Sequence, residues 1–160
     1  MSIDKSLLKK FTLLYVEDDD VIRVELSQLL SNFFSMVHVA KNGKEGLLTF
    51  LENQDEIDLI LTDLNMPELN GIEMIKKIRT IDNKIPIIFA TAHSDSDFLA
   101  EAIKLRVQEY IVKPIDVRYL LSLCNDIASN LYQESLLKQQ REELEKYKEI
   151  INSNNIVIKT

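Results

Sequence analysis

The segment IDLILTDLNMPELNG, residues 57–71, decides the fold of this 160-residue chain. Its first half is almost entirely apolar, Asp63 follows at once, and a turn with Pro67 and Gly71 comes next. A continuous apolar run is typical of a parallel strand that helices cover on both faces. We therefore interpret residues 57–62 as a buried central strand, which places the Asp63 carboxylate just beyond its carboxyl end.

Four further apolar runs alternate with amphipathic helical patterns along the chain. The predicted strands are Thr12–Val16, Met36–Ala40, 57–62, 85–90 and Glu109–Val112, and the predicted helices between them are 21–32, 43–51, 72–81 and 95–105. This alternation implies right-handed crossovers and an open parallel sheet. We expect an α/β, flavodoxin-like (βα)5 fold with strand order 2-1-3-4-5, whose functional crevice lies at the carboxyl ends of the strands.

The faces of two predicted helices follow from their periodicity. The first helix should bury an apolar stripe that consists of Val21, Val24, Leu26, Leu29 and Leu30. The helix over 72–81 should bury isoleucines at helical spacing and turn its basic residues, Lys76, Lys77 and Arg79, toward solvent.

The composition excludes several classes of partner. The net charge of 19 − 26 = −7 argues against a nucleic-acid-binding surface, which needs clustered Lys and Arg. No apolar run approaches the ~18 residues of a membrane span, and the amino-terminal residues do not resemble a signal peptide. The single cysteine, Cys124, is interpreted as a small buried apolar residue. We expect a cytoplasmic protein with no membrane and no nucleic-acid partner.

Polar residues follow four of the predicted strands. Glu17 and Asp18 come after the first, Asp63 after the third, Thr91 after the fourth and Lys113 after the fifth. Since the carboxyl ends of parallel strands meet at one edge, these side chains should converge on one pocket.

Such a pocket suits phosphoryl transfer to Asp63. The attacking carboxylate and the anionic phosphoryl group both need positive partners. Carboxylates are ligands that Mg²⁺ prefers, with Mn²⁺ as an alternative, so we expect a metal held by Asp18, by Asp63 and, through water, by Glu17. The backbone carbonyl of Asn65 would complete the shell, Lys113 would supply a fixed positive charge, and the Thr91 hydroxyl would donate to a phosphoryl oxygen.

Four blocks of this sequence resemble the signature blocks of the receiver family of two-component response regulators. They are LYVEDD (14–19), LTDLNMPELNG (61–71), ATA (90–92) and YIVKP (110–114). The resemblance implies the following roles: phospho-acceptor Asp63, acidic pair Glu17 and Asp18, metal-binding carbonyl of Asn65, switch residues Thr91 and Tyr110, and phosphate contact Lys113. It also implies a cis Lys113–Pro114 bond.

The sequence departs from the family at one place. Leu105-Arg106-Val107 stands where the family commonly has a Gly-Ala-like pair, which leaves the geometry of that loop open. Asn65 and His93 occupy positions that vary in the family and are thought to tune the lifetime of the phosphoryl group.

The resemblance implies Mg²⁺-dependent transfer of a phosphoryl group from a sensor histidine kinase or phosphotransfer protein to Asp63, followed by slow self-hydrolysis. The chain would assist its own phosphorylation without being an enzyme in its own right. One alternative is an aspartyl-nucleophile phosphatase of the haloacid-dehalogenase kind, which requires a second Asp where this chain has Asn65. The other is a receiver used only for protein contacts, which lost pocket residues would favour.

The carboxyl-terminal part predicts a long helix, since no Gly or Pro follows residue 115. Leu120, Leu121 and Cys124 belong to the stripe that should cover the sheet. In residues 133–151, Leu137, Leu144 and Ile151 lie seven apart, which indicates either a weak parallel coiled-coil homodimer or a solvated single helix.

We expect a receiver domain over 1–131 and a helical linker over 132–151. Residues 152–160 resemble the start of a PAS-type domain, so we expect the chain to be the amino-terminal part of a longer regulator.

Overall fold

A computed structural model describes residues 5–92 and 95–154 of the chain. The described residues form six helices and five strands, in the order α1 (Lys5–Leu8), β1 (Thr12–Val16), α2 (Asp20–Leu30), β2 (Met36–Ala40), α3 (Gly43–Glu52), β3 (Leu59–Asp63), α4 (Gly71–Arg79), β4 (Ile87–Thr91), α5 (Ser96–Ile103), β5 (Glu109–Val112) and α6 (Val117–Ser153). The chain divides into two compact units, Met1–Asn125 and Asp126–Thr160. The first contains the sheet, and the described part of the second is almost wholly helical.

The sheet has five parallel strands in the order β2-β1-β3-β4-β5, which confirms the predicted fold and topology. The three central strands β1, β3 and β4 are buried along their whole length. Their continuous apolar sequences therefore correspond to strands covered on both faces.

Alternation along the central strands sends neighbouring side chains to opposite faces of the sheet. Leu14, Val16 and Ile60 pack with α4 in one large apolar cluster. Tyr15 and Leu61, which are register partners on β1 and β3, consequently point to the other face. Glu17 and Asp63 follow them by two residues, so by the same alternation they share that second face.

The predicted bounds of β1, β2 and β5 are confirmed, whereas β3 and β4 each begin two residues later and end one residue later than predicted. Asp58 precedes β3 because its side chain accepts a hydrogen bond from the Thr12 N–H at 2.8 Å. Pro86 precedes β4 because it has no N–H for the ladder. As a result Asp63 and Thr91 are the last residues of their strands instead of the first residues beyond them.

The predicted stripe of α2 is partly wrong. Leu26 and Leu30 are buried, but Val21 and Val24 are 65% and 50% exposed. Arg23 lies on the inner side of the first turn, where its Nη1 donates to the Glu17 carbonyl oxygen at 2.9 Å. The two valines flank this position and therefore face outward.

The prediction that Arg79 faces solvent is also wrong. Its guanidinium is partly buried and donates to four main-chain carbonyl oxygens that lie outside its own helix: Leu105 at 2.9 Å, Ile85 at 2.8 Å, Arg106 at 3.1 Å and Asp82 at 3.4 Å. Arg79 thus ties the end of α4 to the segment before β4 and to the loop before β5.

This contact explains how the chain tolerates Leu105-Arg106-Val107 before β5. Arg106 has a φ of 57°, in the left-handed region that favours glycine. The loop therefore keeps a glycine-like backbone without a glycine, and the Arg79 guanidinium binds the carbonyl groups on both sides of the turn.

The helix α6 runs to Ser153, two residues beyond the predicted linker, and α1 was not predicted. Leu120, Leu121 and Cys124 are buried, as expected. No helix in the described ranges has the length and apolar character that a membrane crossing requires. The predicted PAS-type start at 152–160 lies mostly outside the described residues, which end at 154.

Candidate functional site

The carboxyl ends of four neighbouring strands bring the predicted site residues together. Glu17 follows β1, Asp63 and Thr91 end β3 and β4, and Lys113 follows β5. The main-chain N–H of Lys113 donates to the Thr91 carbonyl oxygen at 2.7 Å. The Lys113–Pro114 bond is cis, as the resemblance implied.

Three carboxylates form the acidic part of the site. One oxygen from each of Glu17, Asp18 and Asp63 lies within 4.8 Å of the other two. Glu17 and Asp63 are 1% and 3% exposed, whereas Asp18 is exposed. The cluster therefore has a buried floor and one ligand atom open to solvent.

Lys113 places a cation against the two buried carboxylates. Its Nζ lies 2.5 Å from Asp63 Oδ1 and 3.0 Å from Glu17 Oε1. Asp63 Oδ2 is also buried and has no hydrogen-bond partner among the described residues. One oxygen of Asp63 is thus held by Lys113, and the other keeps its lone pairs for a further bond.

The proximity of these groups shifts their pKa values in opposite directions. Burial raises the pKa of Asp63 to about 9, and the neighbouring Glu17 adds to this effect while Lys113 opposes it. Burial would also raise the pKa of Glu17, but the Asp63 carboxyl and the Lys113 ammonium outweigh it and lower that pKa. For Lys113, burial acts to lower the pKa, and the contacts with Asp63 and Glu17 raise it overall.

Two buried acids thus share one ammonium, which is an unfavourable arrangement for two full negative charges. A divalent cation between the carboxylates would relieve it. Closely spaced carboxylate oxygens, one of them unpartnered, fit a hard ion such as Mg²⁺, which takes oxygen ligands and retains several waters.

The loop after β3 is fixed by main-chain contacts that the sequence analysis missed. The Gly71 N–H donates to the Leu64 carbonyl oxygen at 3.0 Å, and the Gly71 Cα lies against the Asp63 carbonyl group, where a Cβ would collide. Asn70 caps α4 by accepting the Glu73 N–H at 2.9 Å. The available signal was the Asn-Gly pair at the start of an apolar helix pattern.

The loop after β1 is held from α2. Besides its bond to the Glu17 carbonyl oxygen, Arg23 donates to Asp20 Oδ1 at 2.5 Å. The Asp19 N–H donates to Glu17 Oε2 at 3.2 Å, and Asp19 caps α2 by accepting the Ile22 N–H. Within this acidic run, Asp19 therefore caps α2, while Glu17 and Asp18 contribute oxygens to the acidic cluster.

The other predicted residues lie around this cluster. Thr91 is buried, and the half-buried Tyr110 ring stacks on Phe89 with the ring centroids 6.2 Å apart. Asn65 is exposed in the loop after β3, and the role of its carbonyl stays a prediction. His93 lies outside the described residues.

Comparison with known proteins places this geometry in a family. Residues 13–125 match the response regulator receiver domain. The chain is 36% identical over 122 residues to the transcriptional regulatory protein ZraR of Klebsiella oxytoca, which covers 75% of this chain and 27% of that protein. It is 27% identical over 137 residues to a cyclic di-GMP phosphodiesterase of Thermotoga maritima, which covers 83% of this chain and 36% of that protein.

A solved response regulator receiver domain protein from Clostridium thermocellum has a TM-score of 0.70 and 30% identity, covering 79% of this chain and 98% of that one. The chain spans well under half the length of ZraR and of the cyclic di-GMP phosphodiesterase, the two curated relatives named above.

Proposed function

The chain belongs to the response regulator receiver family, and from this membership we propose that Asp63 accepts a phosphoryl group from the phosphohistidine of a sensor kinase or phosphotransfer protein. The observation that carries the proposal is the contact of the buried Asp63 carboxylate with Lys113 inside the Glu17–Asp18 acidic cluster. Two acidic side chains buried in one pocket do not stabilise a fold, so a purely structural role does not explain why Asp63 lies there.

The residues divide the chemistry as follows. An oxygen of Asp63 attacks the phosphorus, the P–N bond of the phosphohistidine breaks, and the imidazole leaves with the electron pair and takes up a proton. Lys113, already 2.5 Å from Asp63 Oδ1, stays close enough to bind an oxygen of the transferred group. The Thr91 hydroxyl donates to another phosphoryl oxygen, and burial of the floor excludes bulk water.

Glu17, Asp18 and Asp63, with the Asn65 carbonyl, would hold Mg²⁺. The bound ion supplies positive charge that keeps Asp63 ionised and offsets the incoming phosphoryl group. Mn²⁺, which also accepts carboxylate oxygens, would substitute.

The signal would pass through Thr91 and Tyr110. Movement of Thr91 toward a phosphorylated Asp63 would open space at the end of β4, and Tyr110 would turn further inward from its half-buried position against Phe89. The surface formed by α5, β5 and the start of α6 would change as a result. Phosphorylation shifts this equilibrium only by the difference in its stabilisation of the two states.

The surface beside Lys113 offers a place for the phosphoryl donor. A cavity of about 620 Å³ is lined by apolar residues of α2 and the loop after β5, among them Ile22, Leu26 and Pro114. Ile22, one of these lining residues, is 41% exposed. A helical donor domain that docks here would bring its phosphohistidine to the edge of the acidic cluster.

We also propose a weak parallel homodimer through residues 133–151. Leu137, Leu144 and Tyr147 are more than half exposed on α6, at the spacing of a heptad seam. Mass measurement by sedimentation, with and without beryllofluoride, should show a dimer that a chain ending at Leu131 does not form. A monomer in both conditions at high concentration would leave the solvated helix as the correct interpretation.

We propose that this chain is the amino-terminal part of a longer cytoplasmic regulator with an output domain; the length of the curated relatives supports the proposal that the regulator is longer. One relative is named as a phosphodiesterase, but we propose no enzymatic activity for residues 1–160 beyond assistance to their own phosphorylation and dephosphorylation. The phosphatase alternative is not favoured, since Asn65 lacks the acid group that it requires. A contact-only receiver is not favoured either, since each pocket residue is present.

Intact-mass measurement after incubation with acetyl phosphate tests the proposal. The parent chain should gain one phosphoryl group when Mg²⁺ is present, and Asp63→Asn should gain none, because an amide is a poor nucleophile and a poor Mg²⁺ ligand. Asp58→Asn is the matched control, because Asp58 is a partly buried aspartate that precedes β3 and lies outside the acidic cluster. Equal labelling of the Asp63→Asn variant would overturn the assignment.

A further inference from the structure

The Tyr15 side chain is the largest buried group near the site whose polar atom has no assigned role. The residue is 1% exposed, and its hydroxyl is fully buried without a hydrogen-bond partner among the described residues. Buried polar atoms in native proteins are nearly always hydrogen-bonded, to protein or to ordered water. The packing of the ring explains the burial, but it does not explain why this position in β1 has a hydroxyl.

The position of Tyr15 places its side chain on the same face of the sheet as the acidic cluster. Tyr15 precedes Glu17 by two residues on β1, and its register partner Leu61 precedes Asp63 by two residues on β3. Alternation therefore places all of these side chains on one face of the sheet. Asp63 Oδ2 is the other buried oxygen on this face that has no partner among the described residues.

The charged neighbours of the hydroxyl agree with this position. Glu17, Asp63, Asp19 and Arg23 are close enough to interact with it electrostatically, and all four lie at or just beyond the carboxyl ends of β1 and β3. A tyrosine hydroxyl can donate a hydrogen bond, whereas an ionised carboxylate only accepts. The hydroxyl is therefore a donor beside carboxylate acceptors.

We propose that Tyr15 is a positioning residue of the acidic site, whose hydroxyl donates through a bound water to the Glu17 and Asp63 carboxylates and holds them in place for the cation. The bond passes through water because neither carboxylate is within hydrogen-bonding distance of the hydroxyl. Mg²⁺ retains several waters, and hydrogen bonds from outer groups orient its ligands. This inference rests on the proposed Mg²⁺ site.

Tyr15→Phe tests the inference, since it removes the hydroxyl and keeps the ring. Tyr119→Phe is the matched control, because Tyr119 is 45% exposed on α6. We expect Mg²⁺ titration by calorimetry to give a Kd at least about threefold higher for Tyr15→Phe, below the 10–100-fold change that loss of a direct partner of a metal ligand commonly causes. The control should match the parent. Without Mg²⁺, the melting temperature of Tyr15→Phe should stay close to that of the parent, since the ring is kept and only a water-mediated hydrogen bond is lost.

Three results would overturn the inference. An unchanged Mg²⁺ affinity of Tyr15→Phe, beside normal binding by the parent, would remove the role of the hydroxyl and leave the metal site intact. A weaker affinity together with a large fall in the cation-free melting temperature would show that the weaker binding follows from damage to the fold and not from a positioning role. If the parent itself does not bind Mg²⁺, both the proposed site and this inference fail.

Discussion

Gly71→Ala should disable Asp63 without touching any group that reacts. Gly71 begins α4, and its Cα lies directly against the main chain of Asp63. An added Cβ would collide with the Asp63 carbonyl oxygen and would lie 3.0 Å from the Asp63 carbonyl carbon and 3.2 Å from Leu64 Cα. All three atoms are main chain, so the collision is relieved only if β3 and the start of α4 move apart.

The size of the effect follows from that geometry. Overpacking of a close contact costs about 1–3 kcal/mol, which the chain should survive with a lower melting temperature. The movement needed is on the order of 1 Å, and a misplacement of that size can slow a reaction about 10²-fold. We expect Gly71→Ala to be folded and to accept phosphate from acetyl phosphate about 10–100-fold more slowly than the parent.

Gly46→Ala is the matched control. A Cβ on Gly46 would meet side-chain atoms, Met74 Sδ at 2.6 Å and Val16 Cγ2 at 3.0 Å, and the flexible methionine can move. Gly46 also lies inside α3, where Ala is favoured over Gly by up to about 1 kcal/mol. This variant should be labelled at nearly the parent rate when intact mass is followed over time. If folded Gly71→Ala were labelled as fast as the parent, the close approach would not position Asp63.

Three further predictions concern separate parts of the chain. Asp18→Ala should raise the Kd for Mg²⁺ at least about tenfold, the lower end of the effect of losing an outer partner of a metal ligand, and unchanged affinity in a calorimetric titration would exclude Asp18 as a ligand. Arg106→Gly should raise the free energy of unfolding by about 0.5–1 kcal/mol, since relief of left-handed strain of about 1–2 kcal/mol exceeds the entropic cost of glycine. Arg106→Ala is the control, because alanine keeps the strain. Equal stability of the two variants in urea would contradict this prediction. Cys124 should react with a thiol reagent at pH 8 only after unfolding, because burial raises the pKa of its thiol to about 12, and rapid labelling of the native chain would refute its burial.

The fold could be predicted from the sequence because its central strands are continuous apolar runs. Such runs are too short for helices, and when helical patterns separate them they favour parallel strands covered on both faces. The same argument placed Glu17, Asp63 and Lys113 at one edge, where the structure brings the Lys113 Nζ to 2.5 Å from Asp63 and 3.0 Å from Glu17. These residues were predictable because each directly follows or ends a strand.

The missed features depend on three-dimensional contacts that periodicity does not encode. Arg79 has the spacing of a solvent-facing residue, yet carbonyl groups from the segment before β4 and from the loop before β5 lie within reach of its guanidinium. Arg23 takes the inner position of the first turn of α2 for the same reason. Gly71 matters because of what its missing side chain would strike, which no local pattern reveals. Buried main-chain carbonyls need partners, but a sequence does not say which side chain supplies them.

The central claim, that Asp63 is the phospho-acceptor, is tested most directly by locating the modified atom. A phosphoryl group on a carboxylate is an acyl phosphate, which borohydride reduces to an alcohol, so a phosphorylated aspartate becomes homoserine. The parent chain should be incubated with acetyl phosphate and Mg²⁺, reduced, digested and sequenced by mass spectrometry. We predict homoserine at position 63 and at no other aspartate. A reduced residue at Asp18 instead, or phosphate uptake that leaves no reduced carboxylate, would contradict the account.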